Sequence, residues 1–179
     1  MAPVVFPDNT VFCNFTAVER IGLLIAWLRG RGRWCEAVHH ETTRSARCLS
    51  ALTQLTGNGS PLGDPIIIDD PSETQKINRI REVVFGGSID KPTQHLGEAQ
   101  TCWVIRYRAE FRGAWWVTDD IDAYEYASMQ GITTYRTRDI MAMMVSDGDL
   151  SAQEAWNLMK SMADAERPIS LPRSVQDLL

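Results

Sequence analysis

Short apolar segments alternate with longer segments of helical spacing along this chain of 179 residues. Five segments rich in β-branched and aromatic residues predict strands, at residues 4–6, 34–38, 66–68, 115–117 and 132–135. Between and after them, apolar residues at intervals of three and four predict helices, at about residues 11–28, 44–55, 72–85, 93–111, 122–130, 137–145 and 151–165. This alternation predicts an α/β fold: a three-layer sandwich with a central, mainly parallel β-sheet flanked by helices.

Length and segment composition set the expected organisation. The chain is long enough for one domain with a sizeable core, and its longest break, at residues 56–63, is too short to require a domain boundary. We expect a single domain over residues 1–179, in which residues 151–179 form a C-terminal helix and tail. No apolar run reaches membrane-spanning length and no secretory signal is evident, so a cytoplasmic location with reduced, mostly buried cysteines is expected.

The basic residues are unusual in kind. The net charge of −5 argues against indiscriminate coating of nucleic acid, yet 15 of the 18 basic residues are Arg. Many occur in tight groups, such as Arg29, Arg31 and Arg33, or Arg44 and Arg47. The planar guanidinium suits phosphate, so an acidic chain with local Arg groups is compatible with a metal site flanked by phosphate contacts. Solvated helix faces and surface ion pairs are the alternative for any single group.

Acidic residues directly follow one predicted strand, which has the pattern of a short, fully buried strand. Residues 115–117 lead through Thr118 into Asp119, Asp120 and Asp122. Ligands of open α/β sheets bind at the carboxyl ends of the strands, so this is a candidate site. The alternative is that Thr118, Asp119 and Asp120 cap the next helix, because Thr and Asp are favoured N-cap residues.

Other acids fall at equivalent places in the predicted layout. Asp8 ends the first strand, Glu41 lies just past the second candidate strand, and Glu98 lies in the first turns of its helix. Carboxylates that converge without a cation repel one another and lose hydration. One or two Mg²⁺ or Mn²⁺ ions would stabilise the cluster and would allow it to hydrolyse a phosphodiester bond.

The order of these motifs resembles the PIN domain, the nuclease fold of many bacterial toxin–antitoxin ribonucleases. The resemblance spans about residues 4–140 and rests on four points: Asp8 after the first strand, Val38-His39-His40-Glu41-Thr42, Leu96-Gly97-Glu98-Ala99, and Val117-Thr118-Asp119-Asp120 before Gly131-Ile132. It implies a metal-dependent endoribonuclease that hydrolyses RNA phosphodiester bonds. It further implies the toxin of a type II toxin–antitoxin system, an antitoxin partner and a homodimer.

The resemblance also implies roles for individual residues. The catalytic and metal-binding carboxylates would be Asp8, Glu41, Glu98, Asp119 and Asp120, with Mg²⁺ or Mn²⁺ as the cofactor. Thr118 would position an acid or a water, and Asn9 and Thr10 would touch metal-bound water or phosphate. The sequence departs from the family at His95, where many members have an additional acid.

Several other readings of the sequence compete with this one. A catalytically inactive PIN-like module would hold RNA or a protein without cutting, and a structure-specific DNA nuclease would use the same acids. A receiver-like domain needs a Lys near its last strand, whereas no Lys lies between Lys91 and Lys160. A zinc site at the histidines is disfavoured because neither C-x-x-C nor H-x₃-H spacing is present.

Overall fold

A computed structural model describes residues 2–179, and in this part of the chain nine α-helices accompany one sheet of three parallel strands. The strands are β1 (Val5–Pro7), β2 (Trp115–Val117) and β3 (Thr133–Tyr135), in the order β1-β2-β3. Phe6 lies opposite Trp116, which lies opposite Thr134. The predicted α/β class with a parallel sheet is therefore confirmed.

The helices occupy most of the chain. Before β2 lie α1 (Asn9–Ala17), α2 (Ile21–Leu28), α3 (Glu36–Ser45), α4 (Thr53–Thr56), α5 (Pro71–Val83) and α6 (Leu96–Tyr107). After β2 lie α7 (Ile121–Met129), α8 (Thr137–Ser146) and α9 (Ala152–Asp164). Short 3₁₀ turns occur at Ser50–Leu52, Ala109–Phe111 and Val175–Leu178.

The alternation of side chains along the strands divides the core between the two faces of the sheet. Val5 and Val117 belong to a large cluster with apolar residues of α1, α2, α8 and α9. Phe6 and Trp116 belong to a second cluster with residues of α6 and α7. Both faces of the short sheet are thus buried, as expected for parallel strands that read as continuous apolar runs.

Two of the five predicted strands are wrong. Of residues 34–38 and 66–68, only Cys35 and Ile66 pair, as an isolated parallel bridge. Cys35 is the N-cap residue of α3, so the chain turns into a helix after a single extended residue. Glu41 therefore lies in the middle of a helix rather than after a strand, and its position depends on helix packing.

Three of the predicted helices are interrupted or shorter in the structure. The segment 11–28 divides into α1 and α2, because the chain breaks at Glu19, which has a left-handed backbone (φ 56°). The segment 44–55 holds only the end of α3, which begins at Glu36, followed by a 3₁₀ turn and most of the single turn of α4. The segment 93–111 starts as a helix only at Leu96. Helical spacing of apolar residues continued through these breaks, so the sequence pattern alone did not reveal them.

Burial decided the roles of several residues. Trp34 is 1% exposed and belongs to the core. Met141, Met144, Met159 and Met162 are core residues, as plain packing predicts. The cysteines are free thiols, and all except Cys48 are buried.

Within residues 2–179, no helix has both the length and the apolar character needed to cross a membrane.

Candidate metal centre

Asp8 is held at the carboxyl edge of the sheet. Its backbone N–H continues the strand pairing by donating to the carbonyl of Val117 (2.9 Å). Its side chain accepts from the N–H of Asn9 (2.8 Å), so Asp8 itself caps α1. Oδ2 also accepts from the hydroxyls of Thr10 (2.9 Å) and Thr118 (3.3 Å). These donors fix the orientation of a carboxyl group that is only 4% exposed.

Glu41 reaches the same place from α3, where it lies against the first turn of α6. A Cβ at Gly97 would lie 3.0 Å from Oε1 and 3.1 Å from Oε2 of Glu41, and 3.2 Å from a methyl group of Val38. The absence of a side chain at residue 97 therefore allows the two helices to approach closely enough to place the Glu41 carboxylate beside Glu98.

Glu98 projects from the first turn of α6. Its Oε1 lies 3.5 Å from Nδ1 of His95, whereas its Oε2 is buried and has no hydrogen-bond partner within the described chain. His95 has a left-handed backbone (φ 59°) at the residue before the helix, a conformation that costs a non-glycine residue free energy. The strained turn delivers both His95 and Glu98 to the site.

The three carboxyl groups of Asp8, Glu41 and Glu98 influence one another. Burial, reinforced by the charge of Glu98, raises the pKa of Asp8 to about 7. Burial, reinforced by the charges of Asp8 and Glu98, raises the pKa of Glu41 to about 8. Both shifts have the sign expected for carboxyl groups that are desolvated and crowded by like charges. These three acids therefore form one cluster.

This cluster has the chemistry of a hard-cation site. Its oxygen donors, their mutual repulsion and the unpartnered Oε2 of Glu98 fit a divalent ion such as Mg²⁺ or Mn²⁺. Among residues 2–179, however, no three His, Cys, Asp or Glu side chains are already arranged so that they could hold a metal ion. Binding an ion would require the side chains to move towards it.

Asp119 lies in a hydrogen-bond network of its own. Thr118 turns towards Asp8, and Asp119, the next residue, turns the other way. Its Oδ1 accepts from the backbone N–H of Thr137 (3.0 Å), and its Oδ2 accepts from the Thr137 hydroxyl and from Nδ2 of Asn14 (2.8 Å). Both oxygens are thus occupied, although burial raises the pKa of Asp119.

Asp120 does what the capping alternative predicts. Its Oδ1 accepts from the N–H of Ala123 (2.8 Å) and caps α7, and its own N–H donates to the Thr118 hydroxyl (3.2 Å). Asp122 is exposed in the first turn of α7. The structure thus brings together Asp8, Glu41 and Glu98, and the ligand roles of Asp119 and Asp120 stay predictions.

The acid cluster opens onto a cavity of about 900 Å³. Glu41, Glu98 and Asn9 line it, and Nδ2 of Asn9 donates to Oγ of Ser45 in the same wall (3.2 Å). The other charged or imidazole side chains in its lining are Arg44, Arg47, Asp90, Lys91 and His95.

Sequence reasoning missed three residues that organise this region. Asn14 is fully buried on the apolar side of α1, and a polar residue among Phe12 and Phe15 was the available signal. Arg81 is also buried, at 3% exposed, and nothing in the polar sequence around it indicated this burial. The role of Gly97 as a contact surface for Glu41 depends on packing between helices and is invisible in the sequence.

Comparisons of this chain with models of protein families, with curated proteins and with solved structures found no match.

Proposed function

We propose that this chain is a metal-dependent endoribonuclease of the PIN type, with its single domain arranged as a three-layer sandwich. The observation that carries the proposal is the cluster of Asp8, Glu41 and Glu98, which lies at the carboxyl edge of a parallel sheet beside an open cavity. Buried acids that repel one another cost stability. A cation-dependent function gives a reason for that cost.

Asp8, Glu41 and Glu98 would hold Mg²⁺ or Mn²⁺. The ion, when bound, supplies positive charge that activates water and offsets the negative charge developing on a phosphate group. Thr10 and Thr118 keep Asp8 in place through their hydroxyls. These roles follow from side-chain contacts within the chain.

Glu41 and Glu98 line the cavity, whereas Asp8 is not part of its lining, so these two carboxylates would lie nearest to a substrate. Arg44 lies on the same helix as Glu41, about one turn further on, and lines the same cavity. A phosphate drawn towards Arg44 would therefore lie next to Glu41.

The test is cleavage of single-stranded RNA and DNA in Mn²⁺, in Mg²⁺ and in EDTA. Wild type is compared with Asp8→Asn and Glu98→Gln, and the control is Asp164→Asn, which changes an exposed acid at the end of α9. We expect metal-dependent cleavage by wild type and control, and its loss in both site variants while circular dichroism shows that they remain folded. Equal cleavage by all four proteins would overturn the proposal.

A second candidate is a module of the same fold that binds a nucleic-acid strand without cutting it. The favouring observation is that no three potential ligands in residues 2–179 are already placed for a metal ion. Calorimetric titration with Mn²⁺ separates the candidates. Binding that Glu98→Gln abolishes favours the nuclease, and no binding together with no cleavage favours the module.

The proposal includes the biological role that the PIN resemblance implies: a toxin of a type II system, with an antitoxin protein as partner and a homodimer as the assembly. Expression in a bacterial host tests the toxin role. We expect growth arrest by the wild-type chain and normal growth with Glu98→Gln at the same protein level. Normal growth with both would contradict the toxin role and leave the nuclease assay unaffected.

A further inference from the structure

The cavity beside the acid cluster has two walls, and each carries unpaired positive charge. Arg44 on α3 and Arg47 just after it belong to one wall, and Lys91 belongs to the other, which is formed by the segment before α6. All three are exposed, and none forms an ion pair with any residue between 2 and 179. The lining also contains one acid away from the cluster, the exposed Asp90 next to Lys91. Three free cations around a cavity whose base is acidic are arranged for a ligand that carries several negative charges.

The wall that carries Lys91 is built on a buried arginine. The segment 84–95 leaves α5 and leads to His95 without a regular helix or strand. Nη1 of Arg81, in the last turn of α5, donates to the carbonyls of Ser88 (3.0 Å) and Lys91 (3.3 Å). Nη2 of Arg81 pairs with Glu82 (2.8 Å), so its charge is compensated. A buried charge costs free energy unless it is paired and hydrogen-bonded, and here it secures the backbone of this wall.

Gly87 also packs against Arg81 and helps to hold this segment in place. A Cβ at residue 87 would lie 2.7 Å from Nη1 of Arg81 and 3.1 Å from the Arg81 carbonyl. The N–H of Gly87 donates to that carbonyl (2.9 Å), which folds the segment back onto the end of α5. The backbone position of Lys91 in this wall is therefore determined by the packing around Arg81.

We propose that this cavity is a cleft for a single nucleic-acid strand, with phosphates held by Arg44 and Arg47 on one wall and by Lys91 on the other. This inference deepens the proposed function, because it rests on that function for the position of the scissile bond, at Glu41 and Glu98 between the two walls. Arg44, Arg47 and Lys91 are binding residues in this scheme, and Arg81 is a positioning residue.

The lining of the cleft determines how the strand is recognised. Its residues, as far as the structure describes them, include no Phe, Tyr or Trp on which bases could stack. Charged side chains that contact phosphates provide affinity without reading the base sequence. The strand must also be flexible, since Glu98 is only 16% exposed at the base of the cleft. These features favour a single strand that is bound through its backbone.

Binding is tested separately from cleavage, in a Glu98→Gln background, with fluorescent RNA and DNA strands of about 12 nucleotides and with a duplex of the same length. Arg44→Gln, Arg47→Gln and Lys91→Gln are made singly and together. The matched control is Arg112→Gln, an exposed arginine that precedes β2 at the opposite edge of the sheet. Arg81→Met, checked for folding, tests whether Arg81 positions Lys91.

Each single variant is expected to weaken strand binding and to reduce the slope of log K against log salt by about 0.7, the value for one phosphate contact with a single strand. The triple variant is expected to lose about tenfold or more in affinity at moderate salt. If Arg81 positions Lys91, Arg81→Met should also remove the phosphate contact of Lys91 and reduce the salt slope. The double variant Arg81→Met/Lys91→Gln should then have the same salt slope as Arg81→Met alone. Binding of RNA in preference to DNA, or the reverse, identifies the natural strand.

An unchanged salt slope in the triple variant, equal to that of the Arg112→Gln control, would overturn the inference, as would tighter binding of the duplex than of either strand. If wild type cleaves RNA while the triple variant binds and cleaves equally well, the cleft is wrong and the nuclease stands. If the Arg44, Arg47 and Lys91 variants weaken strand binding but wild type does not cleave with any metal, the proposed nuclease function is wrong and the strand-binding cleft is supported.

Discussion

The Glu41 carboxylate packs against the backbone of Gly97, with Oε1 3.0 Å from the point where a Cβ at residue 97 would stand. This contact joins α3 to α6 and brings two carboxylates from different helices into one site. It also gives a physical reason for the glycine that directly precedes Glu98.

Replacing Gly97 by Ala is expected to displace the Glu41 carboxylate and to reduce metal-dependent cleavage strongly. The clash costs stability by about 1–3 kcal/mol, which the better helix propensity of Ala offsets by up to about 1 kcal/mol. Gly22→Ala is the matched control, because a Cβ at this exposed position of α2 meets nothing within 4 Å. It should stabilise the protein by about 0.5–1 kcal/mol and leave cleavage unchanged. Metal-dependent cleavage by Gly97→Ala at the wild-type rate would contradict the prediction.

The free energy of unfolding without metal is expected to fall as the pH rises from about 4 to about 8. The pKa of Asp8 rises from 3.8 to about 7 on folding, and that of Glu41 rises from 4.5 to about 8. In this window the folded protein binds more protons than the unfolded chain, so raising the pH favours unfolding. Urea denaturation in EDTA at several pH values measures the slope. Saturating Mn²⁺ should flatten it, because a bound cation favours the ionised carboxylates, and a slope of the opposite sign would refute the prediction.

Glu41→Gln should be more stable than wild type at pH 8 in EDTA, by about 1–3 kcal/mol, because the variant removes a carboxyl group that is costly to ionise in its buried site. The same variant should gain less stability from Mn²⁺ than wild type does. Thermal melts in EDTA and in Mn²⁺ make the comparison, with Asp164→Asn as the control. A variant less stable than wild type at pH 8 would show that Glu41 supports the fold rather than straining it.

Asp120→Asn distinguishes a role of Asp120 as the N-cap of α7 from a role as a metal ligand. Asn caps helices about as well as Asp, so stability should change by only a few tenths of a kcal/mol, whereas Asp120→Ala should cost about 1 kcal/mol. If the cap to Ala123 is the whole role of Asp120, the Asn variant keeps full cleavage. Loss of cleavage in a stable Asn variant would show that Asp120 also serves the metal, as the sequence resemblance implies.

Asn14→Ala is expected to cost about 1–3 kcal/mol, because it leaves Asp119 short of a buried hydrogen bond. Asn14 also accepts from Nε of Arg167 (3.2 Å), which ties the chain after α9 to the network. Arg167→Met should cost less, and the double variant should cost less than the two single variants summed, since the residues share one network. Urea denaturation of the three variants tests this, and strictly additive costs would contradict a shared network.

The sequence alone determined the class of fold and the parts of the site that are local. Val5, Trp116 and their neighbours form continuous apolar runs that become strands buried on both faces, and each predicted acid except Glu41 has its expected place in the order of elements. The cap alternative for Asp120 was also readable, because capping involves residues only three apart.

Only the tertiary structure decided which acids meet. Glu41 lies in the middle of a helix, and its approach to Glu98 depends on Gly97 in another helix, 56 positions further along the chain. Thr118 and Asp119 are neighbours in sequence, yet one contacts Asp8 and the other contacts Asn14 and Thr137. Local propensity and spacing act over a few residues, whereas these contacts arise from the packing of helices on the sheet, which determines where each side chain finds its partner.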